Sequence, residues 1–293
     1  MRTSSPSAIC LEPPRRAMTD PLASDQTTPL GGRGHENAVV STNSLSTWLW
    51  RLGLIAALLL IWEFAAGRLF NEFWSSRPSL IGERLLALFA SGEIWRHLGA
   101  TVPEALLGLL LAAAVGTPIG VALAKYRRTA EIVDPFVMGL YGLPRVALAP
   151  MFILWFGISL LAKVMMSFSM VVFVFILNVT EGIRTVDPDM VDLMRTMRAP
   201  RSYILRRVTI PSIVPWLMAS FRIGIGLSLV GAVVGELIGA NRGLGWYVLR
   251  AGGQLDTTGV FTGLLVLMVV AMIANHVVFL IERSVLHWRP VTR

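Results

Sequence analysis

Lysine occurs only twice in the 293 residues, at Lys125 and Lys163, and neither follows a glycine. Without a glycine-rich loop ending in lysine there is no cradle for nucleotide phosphates, so the chain is not expected to hydrolyse ATP by itself. Arg250-Ala-Gly-Gly-Gln254 echoes an ATPase signature loop, but nothing around it binds a nucleotide. Cysteine occurs once, Cys10, in a polar stretch, which excludes a disulfide framework and a cysteine-built metal site. His276 has no ligand-type residue beside it except Asn275, and no zinc spacing, carboxylate pair or Ser/His/Asp set is evident. The expectation is a non-catalytic chain with no metal and no cofactor of its own. Charge is scarce as well. Charged residues make up 15% of the chain, against roughly a quarter in soluble domains.

What replaces charge is apolar length: 54% of the residues are hydrophobic. Six segments approach the ~20 residues that a spanning helix needs, at about 49–67, 102–124, 135–156, 158–180, 213–240 and 259–283. This predicts an all-α integral membrane protein with six transmembrane helices. Ala105 to Ala124 carries no charge, and the Gly116/Gly120 spacing allows close approach of another helix. Pro135, Pro144 and Pro150 predict a kink in the third span, and the short link at Gly157 predicts a tight hairpin with the fourth. Residues 1–48 are rich in Ser, Thr, Pro and Gly and read as a disordered tail, with Met18 a candidate start; residues 49–293 form the membrane domain. No apolar run of signal-peptide type precedes Leu49.

The net charge of +8 sits mainly in the connections, which points to topology signals and anionic lipid rather than nucleic acid. With both termini inside, 17 Lys and Arg fall on the cytoplasmic side. Seven fall outside: Arg68, Arg77, Arg84, Arg96, Lys163, Arg242 and Arg250. Leu80, Leu85, Leu86, Leu88 and Phe89 predict an amphipathic interfacial helix in the first outer loop.

The polar stretch from Glu181 to Pro211 is long for a connection between spans. Pro188 suits the first turn of a helix, with Asp187 as its cap. Met190, Leu193, Met194 and Met197 recur at helical spacing, and Ala199-Pro200 breaks the run. Tyr203, Ile204 and Val208 then mark a second short helix that Pro211 ends. A solvated basic loop explains the charge. The methionine-rich stripe points instead to a protein-binding surface, because thioether side chains adapt to a partner.

Here the chain resembles the inner-membrane permease subunits of ABC importers. Their loop pattern is Glu-Ala-Ala, three residues, Gly, nine residues, Ile-x-Leu-Pro; at the matching positions stand Asp192-Leu193-Met194, Arg198 and Val208-Thr209-Ile210-Pro211. Leu143-Pro-Arg-Val-Ala-Leu-Ala-Pro150, Gly182-Ile-Arg-Thr-Val-Asp-Pro188 and Val234-Gly-Glu-Leu-Ile-Gly-Ala-Asn-Arg-Gly-Leu-Gly245 are similar to the nitrate, sulfonate, taurine and bicarbonate branch. The resemblance covers about residues 50–290. It implies the type I importer permease fold, with its core at about 95–285 and a cytoplasmic coupling helix between spans four and five. Asp192, Leu193, Met194, Met197, Arg198, Ala199, Tyr203 and Pro211 inherit the contact with a separate ATPase subunit, which binds the ATP. A second permease copy, an external solute-binding protein and the lipid of a bacterial inner membrane complete the implied partners. The implied cargo is a small anion such as a sulfonate, taurine or nitrate. Arg198 departs from the family glycine, so the turn is expected to use another geometry, with Ala199-Pro200 supplying the bend.

Arg145, beside Pro144, falls inside the third span. It reads equally as an anion-sensing pathway residue or as a cap on carbonyls freed by prolines. Asn178 and Asn275 read as interhelical hydrogen-bonding groups, and Arg222 as a side chain reaching headgroups. Glu63 and Glu236, near the outer ends of their spans, are candidates for water or binding-protein contact. Pathway candidates are therefore Arg145, Asn178 and Glu236. The alternative of a stand-alone secondary transporter is disfavoured because it needs ion-coupling carboxylates near mid-membrane, where Glu63 and Glu236 are too peripheral and no spare acid is expected. A membrane-bound recruiter of a cytosolic partner is the third reading.

Overall fold

The computed structural model describes residues 44–68 and 72–287. Of the expected disordered tail 1–48, residues 1–43, with Cys10 and Met18, lie outside them, and Ser44–Trp48 are not disordered but form the start of a helix. By contacts the chain divides into Met1–Trp50 and Arg51–Arg293; of the first unit, only the opening turns of helix α1 are described. The elements in order are α1 Ser44–Ala65, α2 Glu72–Ser75, α3 Pro78–Ala90, α4 Glu93–Lys125 and α5 Arg127–Gly142. A 3₁₀ turn, Arg145–Leu148, leads into α6 Ala149–Phe156; α7 Leu160–Arg184, α8 Pro188–Thr196 and α9 Arg201–Ile204 follow. A π-turn, Leu205–Thr209, precedes α10 Ile210–Gly239, α11 Leu244–Gly253 and α12 Thr257–Val285. Among the described residues five helices are long and apolar enough to cross a membrane, or six if α5 and the segment Arg145–Phe156 count as one broken span.

The centre of the second unit is a three-helix core of α4, α7 and α10. Gly108, Ala112, Gly116 and Gly120 form a buried small-residue stripe on α4. A Cβ at Gly116 would stand 2.7 Å from the Val172 carbonyl oxygen, and one at Gly120 2.8 Å from that of Ile176. The predicted close approach is therefore real, and its partner is α7. From α10, Gly231 meets the Ser167 backbone, where an added Cβ would lie 2.5 Å from Cα. Phe175, Val171 and Met166 fill the space between the helices and are almost wholly buried. Without a hydrophobic drive between helices in lipid, such contact depends on packing and polar pairs. Ser167 supplies one, donating to the Ser228 carbonyl at 3.0 Å.

Three elements differ from expectation. The third span is broken rather than kinked, by 82° between α5 and the segment starting at Arg145. Pro144 has no N–H and forces Leu143 to an extended ψ of 136°, so α5 cannot continue. The fifth span does not begin at Pro211. A helical path runs from Arg201 to Gly239. The π-turn immediately before Pro211 is the kind of irregularity that accommodates a missing donor and a ring clash. Helix α3 does more than lie in an interface: Leu88 joins Ile94, Leu244 and Val266 in a small second core.

Candidate functional site

Two regions carry polar chemistry. The first is the segment from Thr185 to Pro211. Asp187 accepts the Asp189 backbone N–H at 2.9 Å and Pro188 opens α8, as the cap reading expected. Met190, Leu193 and Met197 share one face and remain 50%, 59% and 70% exposed, and Tyr203 beyond the turn is 47% exposed. Met194 and Ala199 are half-buried, Asp192 is exposed and paired with Arg195 at 2.9 Å, and Val208 is buried. The apolar stripe thus finds no cover among the described residues.

Arg198 has φ +56°, so the expected alternative geometry is not used. The turn is left-handed despite the arginine. Arg198 N–H donates to the Arg195 carbonyl at 2.9 Å and Ala199 N–H to that of Met194 at 3.0 Å. Those two bonds are the Schellman pattern, which satisfies the last carbonyls of α8 and outweighs a left-handed penalty of about 1–2 kcal/mol. Arg198→Gly is expected to strengthen this turn by ~1 kcal/mol, read as about fivefold slower amide exchange at Arg198 and Ala199. Faster or unchanged exchange would show that the turn carries no strain.

At the break in the third span, Arg145 fastens the parts together. Its Nη1 donates to the Met170 carbonyl at 2.7 Å and its Nη2 to the Tyr141 carbonyl at 3.1 Å. The guanidinium also lies 5.1 Å from the Tyr141 ring centre and 5.0 Å from that of Phe173. Tyr141 is in the last turn of α5, so one bond caps a carbonyl left open by the break. Arg145→Ala is expected to lower stability by roughly 2–3 kcal/mol, since it removes two charge-assisted bonds and two ring contacts. An unchanged thermal transition of the purified protein would dismiss this fastening role.

The second region is a buried polar cluster at the end of the bundle that carries Gly157 and the α10–α11 turn. His97, Thr101 and Glu104 stand at positions i, i+4 and i+7 of α4 and so share a face. All three are buried, as are Lys163 of α7 and Glu236 of α10. Lys163 Nζ donates to Glu104 Oε1 at 2.9 Å. Thr101 Oγ1 donates to Glu236 Oε1 at 2.6 Å, and Gly245 N–H donates to Glu236 Oε2 at 2.6 Å. His97 Nδ1 accepts from Gly243 N–H at 3.1 Å, and Leu244 N–H donates to Thr101 Oγ1 at 2.8 Å. The Gly-Ala-Asn-Arg-Gly-Leu-Gly turn is therefore tied by its own N–H groups to side chains of α4 and α10. Tyr247 of α11 packs at 5.6 Å from His97, and burial pushes its hydroxyl above the ordinary range.

Several side chains sit elsewhere than expected. Glu236 is fully enclosed rather than facing water. Lys163, counted as an outer-loop charge, is buried inside the bundle. Glu104 and Glu236 are acids enclosed at one end of the bundle. Arg222 pairs with Glu282 of α12, with about half of its side chain still exposed. Glu63 accepts from the Ser79 backbone at 3.0 Å and its hydroxyl at 2.8 Å, capping α3. Asn178 does bridge helices, donating to Ser220 Oγ at 3.0 Å, whereas Asn275 bonds its own helix at Ala271. His276 stacks on Phe279. Among the described residues no metal-holding group of His, Cys, Asp and Glu is present. His97, Thr101, Glu104 and Lys163 were missed, although the heptad spacing of the first three was visible in the sequence.

These features define a polytopic helical membrane protein with a small-residue core, a broken span and an uncovered amphipathic helix between two spans. The family described as binding-protein-dependent transport system inner membrane component matches residues 116–287, and the chain belongs to that family. A Bacillus subtilis permease protein assigned to aliphatic-sulfonate transport, SsuC, is 30% identical over 83% of this chain and 88% of its own length. The taurine transport system permease protein TauC of Escherichia coli is 27% identical over 82% of this chain and 93% of its own. Among solved structures, the MetNI methionine ABC transporter in an inward-facing conformation aligns with a TM-score of 0.59 at 20% identity, covering 66% of this chain and 95% of that one. A bacterial ABC transporter that imports alginate aligns at 0.53 and 17%, covering 85% and 94%. The chain is a membrane permease component of an ABC importer.

Proposed function

We propose that this permease is driven through α8 by a separate cytoplasmic ATPase subunit. The observation that carries the reading is the exposed stripe of Met190, Leu193 and Met197, large apolar side chains left uncovered on a charged connecting segment. Such a stripe is the anchor that a helix-in-groove contact needs. Asp192, Arg198, Ala199, Tyr203 and Pro211 flank it or fix its angle, and the continuous helix from Arg201 to Gly239 is the lever that carries its motion into the core. Both termini are then cytoplasmic, and the Glu104–Lys163 cluster lies toward the outside, where a solute-binding protein docks.

Two copies of the chain form one pathway along their interface, and ATP-driven closure of the ATPase pair shifts it between inward- and outward-open states. Arg145 and Asn178 act from beside that pathway, through the hinge and the α7–α10 contact; Glu236 acts through the outer turn. The cargo is a small molecule of the sulfonate, taurine or nitrate type. Reconstituting the chain with its ATPase and binding protein in liposomes tests the reading. ATP turnover stimulated by loaded binding protein, with accumulation of solute, is the expected result. Accumulation by the chain alone on an ion gradient would overturn it.

A further inference from the structure

Glu104 and Glu236 face each other where α4 meets α10, with their carboxyl groups in hydrogen-bonding reach. Three of the four oxygens already accept a donor. Lys163 Nζ donates to Glu104 Oε1 at 2.9 Å, Thr101 Oγ1 to Glu236 Oε1 at 2.6 Å and Gly245 N–H to Glu236 Oε2 at 2.6 Å. The fourth, Glu104 Oε2, is shut off from solvent and receives no donor from the described residues. Its neighbour is another acid, and an ionised carboxylate can only accept. The charges do not balance either. Among the described residues Lys163 is the one buried Lys or Arg, against two buried acids. Arg242 of the α10–α11 turn is exposed. His97, on the same face of α4, uses Nδ1 to accept from Gly243 N–H.

Two ionised carboxyl groups in contact repel, and a buried charge without a partner is costly. One proton removes both difficulties. We propose that the pair is a proton-binding site, in which Glu104 Oε2 carries a hydrogen and donates it to the Glu236 carboxylate. Glu236 has room for this bond, because each carboxylate oxygen has two lone pairs and one donor already. Glu104 Oε1 still accepts from Lys163, and the Lys163 charge balances that of Glu236, so the buried cluster is neutral. The O–H···O bond ties α4 to α10, and Thr101 and Gly245 extend the tie to the α10–α11 turn. Bonds of this kind, with one ionised partner, are roughly twice as strong as neutral ones. The site goes beyond the importer reading and does not depend on it.

The test uses the full-length permease in a maltoside detergent, which has no ester carbonyl to mask the signal. Infrared spectra at neutral pH are expected to show the C=O stretch of a protonated carboxylic acid. Glu104→Gln and Glu236→Gln are each expected to abolish that band. Glu104→Gln copies the protonated acid, since its carbonyl accepts from Lys163 and its N–H donates to Glu236. Its thermal transition is therefore expected within about 2 °C of that of the unmodified protein. Glu104→Leu keeps the bulk but offers Glu236 no donor, and is expected to lose roughly 10 °C. No acid band in the unmodified protein, a band that survives either glutamine substitution, or a Glu104→Gln protein as unstable as Glu104→Leu overturns the site. Failure of Glu104→Gln to fold counts the same way, because a copy of the protonated acid leaves the packing undisturbed.

Discussion

Replacing Gly243 by alanine is expected to cut the yield of monodisperse permease at least about tenfold, while Gly82→Ala leaves it unchanged. Gly243 has φ +121°, a conformation that side chains rarely adopt, and an added Cβ would collide with the Glu236 carboxylate, standing 2.6 Å from Oε2. Gly245 is equally confined, at 2.9 Å from the same oxygen. The carboxylate cannot swing away, because it is fully buried and already receives Thr101 and Gly245. Overpacking and a forced positive φ together cost on the order of 2–5 kcal/mol, a large part of the 5–15 kcal/mol that typically holds a domain together. A Cβ at Gly82 meets nothing within 4 Å. Fluorescence-detected size-exclusion chromatography of the two variants compares them directly, and matching profiles would mean that the α10–α11 turn is not locked by Glu236.

The second large effect concerns α8. Converting Met190, Leu193 and Met197 together to aspartate is expected to leave the folded permease intact and to weaken retention of the ATPase subunit by at least about a hundredfold. Half or more of each side chain is already exposed, so the substitutions leave no cavity in the core. Two anchor positions at about 2 kcal/mol each would exceed a hundredfold loss of affinity. Co-purification from detergent, with the thermal transition of the permease as control, measures both quantities. Full retention of the ATPase by a normally folded triple variant would remove α8 from the contact.

How much of this was legible in the sequence depends on the range of each interaction. Pro188, Asp187 and the Met/Leu spacing marked α8 because capping and amphipathicity are local. The Gly116/Gly120 pair announced a close helix contact for the same reason, although not its partner. Arg198 shows the limit of local reasoning. An arginine argues against a left-handed turn by its own preference, yet the two Schellman hydrogen bonds outweigh that preference. The polar cluster was harder still. Lys163 reads as a loop charge at the start of a span and becomes a buried partner only when α4 is laid against α7, 59 residues away in sequence.

The chain alone determined that it is helical, membrane-spanning, without a nucleotide engine and furnished with an amphipathic segment between two spans. Run length, period and composition act over a turn or two of helix and need no folded neighbour. Folding decided which charges leave water. Glu104, Lys163 and Glu236 are tolerated inside because three helices, packed on glycine and serine, bring counter-charges and N–H groups to them. Only a packed arrangement, never a local pattern, can compensate the desolvation of a buried charge.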